Sequence, residues 1–274
     1  MCELFAMSSR LDADVNLSLE EFSRHGGLAG PHKDGWGIAY YAERDVRLFK
    51  DTRPAADSAC VRFIRDNAFA SSLVLSHIRR ATQGALALRN CQPFVRELGG
   101  AMHVFAHNGH RAPRRLRAQL DAGACRPVGE TDSEYAFCAL LERLRRLWRG
   151  VRGVPPLAKR LALLARFARE IRVLGPANFL YADGDALFAH GDRRPQPDGR
   201  VRAPGLWLLA RRCPSGEGSL VAEGLSIESA SGGVQHVVLA ASVPLNAEPG
   251  WRPLAEGELV AARRGMVISS AKAA

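Results

Sequence analysis

The sequence predicts an α+β fold in which two mostly antiparallel sheets pack face to face with helices outside. Three observations lead there. Strand-like apolar runs occupy both ends of the chain, two long amphipathic segments stand together in the middle, and no strand–helix–strand alternation connects them. The turn signal Asp183-Gly184 favours a local antiparallel connection. No repeat is visible in the 274 residues, and 150–156 is too short to be more than a helix–helix connection, so 1–274 is expected to be one domain.

The elements are justified in order. Residues 17–24, with Leu19 and Phe22 inward, read as a short helix, and the glycine-rich stretch 26–35 as a loop. That loop lacks the GK[ST] ending and the leading strand of a phosphate loop. Trp36–Tyr41 and Val46–Phe49 read as a hairpin turned by Ala42 to Asp45. Cys60, Phe63 and Ile64 share one face of a helix at about 56–69. Leu73–Ile78 is a buried strand running into Arg79, 90–94 is a loop, and Met102–His107 is a strand ending in the turn-favouring Asn108-Gly109. Thr131 and Glu134 have capping-box spacing before the stripe Phe137, Leu140, Leu141, Leu144, Trp148. A second helix starts near Pro155-Pro156 and carries Leu157, Leu161, Leu164, Phe167 and Ile171. Strands follow at 178–181, 186–190, 205–210, 234–240, 259–261 and 266–268, with the Arg-, Pro- and Gly-rich stretch 192–204 expected as an exposed loop.

Composition narrows the function classes. No apolar run reaches the ~18–20 residues of a membrane span, and the start lacks the apolar core of a signal peptide, so a soluble cytoplasmic protein is expected. Six scattered cysteines without a CxxC pair do not resemble a disulfide framework or a zinc ribbon. The net charge of +10 comes mainly from arginine, but the arginines are spread along the chain and alternate with apolar residues in the helical stretches. That pattern reads as solvated helix faces rather than a nucleic-acid surface. His103, His107 and His110 are spaced HxxxHxxH, yet on a strand only the first two share a face and no carboxylate partner is at hand, so no metal site is expected. His77 reads as a core histidine, and Cys91 as an inert thiol.

The chemistry gathers around Cys2. Removal of Met1 would leave a thiol and a free α-amine on one Cα, a nucleophile with its base attached. Both groups titrate usefully near neutrality, at about 7.7–8 for the amine and ~8.5 for the thiol. A cysteine at position 2, taken alone, reads as accidental. Arg79 at a strand end, Asn108-Gly109 at another and Asp132 at a helix start shift that balance. An arginine can clamp a carboxylate, an aspartate can hold an ammonium, and a side-chain amide with a backbone N–H can form an oxyanion hole. Amino-acid substrates need that set.

Six segments together resemble the class-II glutamine amidotransferases of the N-terminal-nucleophile hydrolase fold. They are Met1-Cys2-Glu3-Leu4-Phe5, Asp34-Gly35-Trp36-Gly37-Ile38, His77-Ile78-Arg79-Arg80-Ala81-Thr82, Asn90-Cys91-Gln92-Pro93-Phe94, Ala106-His107-Asn108-Gly109 and Glu130-Thr131-Asp132-Ser133-Glu134. The likeness extends to Ser242–Leu245 and Trp251–Leu254 and is strongest to short, stand-alone bacterial (YafJ-like) members without a synthetase domain. It implies a four-layer αββα sandwich. It also implies Cys2 as nucleophile with its amine as base, and Asn108 with the Gly109 N–H as oxyanion hole. Arg79, with Thr82 nearby, would bind the substrate carboxylate and Asp132 its ammonium, while Trp36 and Gly35 would border the pocket. The position after Arg79, often Trp in large synthetases, is Arg80, and the one after Thr82, often His, is Gln83. No cofactor or metal is implied, and many stand-alone members are expected to self-associate. Three functions stay open: glutamine hydrolysis feeding a separate synthetase, hydrolysis of another γ-glutamyl amide or peptide, and a non-enzymatic basic binding module.

Overall fold

The computed structural model describes residues 2–17, 34–54, 58–67, 69–80, 84–109, 113–214, 219–222, 225–229 and 233–272. The chain opens on β1 (Glu3–Leu17), the longest strand. No strand is expected there from the sequence, and a helix is expected from Leu17; Leu17 instead ends β1, and 18–24 lie outside the described residues. The hairpin β2 (Trp36–Ala42) and β3 (Asp45–Asp51) follows, then α1 (Ala59–Asp66) and β4 (Ala70–Ile78). The stretch expected as a loop at 90–94 runs into β5 (Phe94–Leu98), which pairs with β6 (Ala101–Gly109). A short helix α2 (Pro113–Gln119) precedes α3 (Asp132–Trp148) and α4 (Leu157–Arg172).

The final third is β-structure. It comprises β7 (Ala177–Ala182), β8 (Leu187–Gly191), β9 (Arg194–Pro195), β10 (Val201–Arg202) and β11 (Trp207–Cys213). Then come β12 (Ser219–Ala222), β13 (Leu225–Ser229), β14 (Gln235–Ala241), β15 (Arg252–Pro253), β16 (Glu258–Arg263) and β17 (Met266–Lys272). One sheet has the order β15-β11-β14-β1-β4-β2-β3, with β13 also on β1 and β12 on β13; the second has the order β17-β16-β8-β7-β6-β5. Every paired ladder in both is antiparallel. Strand β1 lies inside the first sheet, between β14 and β4, so the chain start is held from both sides.

Strand alternation sorts the side chains into layers. Leu4 and Ala6 of β1 face the second sheet and pack with Ala39, Leu75, Val104, Ala106, Leu180 and Val238. Phe5 and Met7 point the opposite way, into a cluster with Trp36, Ile38, Val74 and Ile64 of α1. On the far side, Phe105, Phe179 and Phe188 of the second sheet meet Phe137, Leu140 and Leu144 of α3 and Leu164 and Phe167 of α4. Helix, sheet, sheet and helix are thus the layers of an αββα sandwich.

Three local expectations change. Asn108 and Gly109 are strand residues opposite Asn178 and Ala177, not a tight turn, because β6 continues its ladder with β7 to that point. The expected exposed loop at 192–204 contains the β9–β10 pair and buries Asp192 and Arg194 in ion pairs. Only half of the capping box forms: the Glu134 N–H donates to Thr131 Oγ1 at 3.3 Å, while the Glu134 carboxylate takes the N–H groups of Val128 and Gly129 and pairs with Arg96.

Candidate active site

Cys2 stands one residue before β1, and its neighbours follow from register. Glu3, Ile78 and Trp36 are consecutive partners across β1, β4 and β2. One step further lie Cys2, Arg79 and Gly35, and the Arg79 N–H donates to the Gly35 carbonyl at 2.8 Å. Alternation turns this next rung toward the second sheet, the same way as Leu4. The half-buried Cys2 thiol is clasped by Arg80: the Arg80 N–H donates to Sγ at 3.2 Å, and Sγ–H reaches the Arg80 carbonyl at 3.4 Å. Burial pushes the Cys2 thiol above its ordinary pKa, opposed by the Arg80 N–H bond and by the Arg79 charge, while the Glu3 charge adds to the rise.

From the facing sheet, Asn108 at the end of β6 donates its side-chain N–H to the Cys2 carbonyl oxygen at 2.5 Å. Residues 104 and 106 of β6 already point between the sheets, so the period of two brings Asn108 to Cys2. Its strand is held at that level by Gln92, which returns both bonds of a backbone-like pair to His107: His107 N–H to Oε1 at 2.7 Å and Nε2–H to the His107 carbonyl at 3.1 Å. Gly109 is packed tightly, because a β-carbon there would lie 2.1 Å from the Pro176 carbonyl oxygen.

Arg79 is buried in a cup of carbonyls, with its guanidinium donating to Asp34 (3.4 Å), Ala85 (3.2 Å) and Gly84 (3.2 Å). The guanidinium therefore has a fixed direction. The same loop is clipped to the start of α3 by Asn90, which is fully buried. Asn90 Nδ2–H donates to Ala85 O at 3.0 Å and to Glu130 Oε2 at 2.7 Å, and Asn90 Oδ1 accepts the Glu130 N–H at 3.0 Å. Asp132, buried in the first turn of α3, sits where the helix dipole favours an anion. His107 Nδ1 is hydrogen-bonded to Ser133 Oγ at 2.8 Å, which ties the Asn108 strand to the Asp132 helix.

The structure thus joins Cys2, Asn108, Arg79, Gly35 and Asp132 through short chains of bonds. Trp36 goes elsewhere. It is fully buried in the outer cluster with Phe5 and Ile38, on the opposite face of its sheet from Leu4, because it is one residue out of phase with Gly35. Thr82 lies outside the described residues, as does His110. His103 is bonded to Tyr181 Oη and the Leu98 carbonyl within the fold. Cys91 is buried, with its thiol raised by burial. Asn90, Gln92, Glu130 and Ser133 carry the geometry, and in the sequence their only signal is their place inside the matched segments.

The fold is thus a two-sheet sandwich in which Cys2 stands directly before the inner strand β1, with Asn108 reaching it from the facing sheet. The family described as glutamine amidotransferases class-II matches residues 1–274, and the chain belongs to that family. It is 35% identical over 260 residues to YafJ of Escherichia coli (strain K12), provisionally named a glutamine amidotransferase, covering 94% of this chain and 96% of that one. An uncharacterised protein of Methanocaldococcus jannaschii, MJ1515, is 31% identical over 99% of this chain and 72% of its own. The crystal structure of a predicted glutamine amidotransferase from Pseudomonas aeruginosa PA01 superposes with a TM-score of 0.71 at 35% identity, covering 97% of this chain and 99% of that one. The glutamine phosphoribosylpyrophosphate amidotransferase of B. subtilis shares the fold at 14% identity and a TM-score of 0.56, with 99% of this chain matched to 49% of that one.

Proposed function

We propose that this amidotransferase cleaves the side-chain amide of glutamine to glutamate and ammonia through a Cys2 thioester. The observation that carries the reading is the convergence of Asn108 on Cys2 from the facing sheet. With Met1 removed, the Cys2 amine takes the thiol proton and the thiolate attacks the amide carbon. The resulting oxyanion accepts hydrogen bonds from the Asn108 side chain and the Gly109 N–H. The C–N bond breaks as the Cys2 ammonium returns its proton to the leaving nitrogen, releasing ammonia and leaving a γ-glutamyl thioester. Water, deprotonated by the amine, then attacks the thioester to give glutamate and the free thiol.

Arg79 holds the substrate carboxylate and Asp132 its ammonium, so both ends of the amino acid are fixed while the amide meets Cys2. Gly35 borders that pocket. The ammonia goes to a separate synthetase, and the enzyme works in the cytoplasm. A second reading keeps the same site but takes a γ-glutamyl peptide or conjugate, since the proposed contacts recognise only the γ-glutamyl part. Assays of glutamine against a γ-glutamyl peptide panel separate the two. Asn108→Ala is expected to stay folded and to lose roughly 10²–10³ in kcat, the cost of one oxyanion donor; full activity in that variant would refute the assignment. N-terminal mass spectrometry is the companion test, because a chain that turns over glutamine with Met1 in place has no free amine on Cys2.

A further inference from the structure

Glu3 follows the nucleophile directly and is fully buried. Its Oε1 accepts from Arg194 Nη2 at 3.1 Å, and Arg194 is anchored by Nη1 on the Ser242 carbonyl at 2.6 Å. Oε2 is buried as well, and among the described residues no group donates to it. The Ser242 hydroxyl, which accepts the Leu4 N–H at 2.9 Å, lies near enough to favour the charged carboxylate but makes no bond of good geometry to Oε2. A buried carboxylate oxygen without a donor is costly, and an arginine is committed to holding this one in place.

The position of Glu3 gives it a use. Its side chain leaves β1 on the Ile78–Trp36 face, opposite the thiol of Cys2. A backbone amine at the start of the strand lies between those two faces. It can therefore be approached by residue 3 from one side while the thiol works on the other. Removal of Met1 creates a positive charge one residue from Oε2.

We propose that Glu3, braced by Arg194, is the positioning residue of the catalytic amine, with Oε2 accepting from the Cys2 ammonium once Met1 is gone. This rests on the reading of Cys2 given above. The contact fixes the amine beside its own thiol and favours its protonated form, the form that hands a proton to the leaving nitrogen. The charged side chain that bears on Glu3 is Arg194, with the Ser242 hydroxyl as a neutral neighbour; Arg79 acts on the thiol side.

The test titrates the Cys2 amine by NMR in full-length protein labelled with ¹³C-cysteine, with Cys2→Ser assigning the signal. Condensation with an aldehyde to a thiazolidine, which needs amine and thiol together, reports processing independently of turnover. Glu3→Gln is expected to lower the amine's midpoint by about one pH unit, since an opposite charge is removed. The acid limb of kcat/KM should move the same way, with the glutamine KM unchanged. Glu3→Gln/Arg194→Gln, which removes both charges of the buried pair, covers the case in which the single variant fails to fold. If processed chains form the thiazolidine but the midpoint stays put in both variants, this proposal fails alone. If the wild-type chain forms no thiazolidine, the Cys2 mechanism fails with it.

Discussion

Gly109 has no room for a β-carbon: besides the Pro176 carbonyl, it would meet the His107 ring 2.7 Å away. Gly109→Ala should therefore push β6 away from the residue 176 backbone, costing about 1–3 kcal/mol as an overpacked site and lowering turnover in the same variant. Denaturant unfolding alongside a glutaminase assay checks both. Glu3 makes a second prediction at this scale. Burial raises its carboxyl pKa against the pull of Arg194. A raised folded value means that its contribution to stability is complete below the ordinary carboxylate pKa and is lost as pH rises through the folded one. In the chain that keeps Met1, Glu3→Gln should flatten that fall in urea midpoints measured from pH 4 upward, whereas the Cys2 ammonium proposed at Oε2 of the processed chain would pull the carboxyl pKa back down. A variant whose slope matches wild type would count against the buried, raised carboxyl.

At the level of elements, the site is a junction held by borrowed hydrogen bonds. β1 brings Cys2 from one sheet and β6 brings Asn108 from the other, while the 84–91 loop brings the carbonyl cup of Arg79 to the head of α3. Asn90 is the clip between the last two. Asn90→Ala leaves the Glu130 N–H without its partner and the Ala85 carbonyl with the Arg79 guanidinium alone, and should cost ~1–3 kcal/mol. It should also raise the glutamine KM more than it lowers kcat, because Arg79 and Asp132 are the groups proposed to grip the substrate. Arg89→Ala serves as the contrast. The Arg89–Glu130 pair is half exposed on both sides, and surface pairs contribute little, so KM should hardly move. Equal KM effects in the two variants would remove the clip from the account.

Across the whole molecule, buried charge joins helix to sheet. Arg160 of α4 is 2% exposed and donates to Asp183 at 2.7 Å and Asp185 at 2.6 Å in the β7–β8 turn, while Arg263 of β16 reaches Asp185 at 2.7 Å. Removing one partner strands the other, so Arg160→Ala should cost ~3–5 kcal/mol, read as a shift of the cooperative unfolding curve. This network sits past the end of β7, five residues along the chain from Asn178, the partner of Asn108, so the surviving folded fraction should keep its glutamine KM.

Local chemistry alone determined much of this protein. The capped start of α3, the apolar stripes of α3 and α4, the β2–β3 and β7–β8 hairpins and the antiparallel character of the sheets are written in periodicity and turn residues, whose causes are a few positions apart. The candidates Cys2, Arg79, Asn108 and Asp132 were also legible, as residue types matching the chemistry of an amino-acid amide and as parts of recognisable segments. Tertiary structure decided the rest. β1 is a strand because β4 and β14 pair with it, and those partners are distant in sequence. Arg194 is buried because a carboxylate 191 positions earlier needs it. Trp36 faces the outer cluster and Gly35 the Cys2 rung because pairing register, invisible in a single strand, fixes which parity points inward.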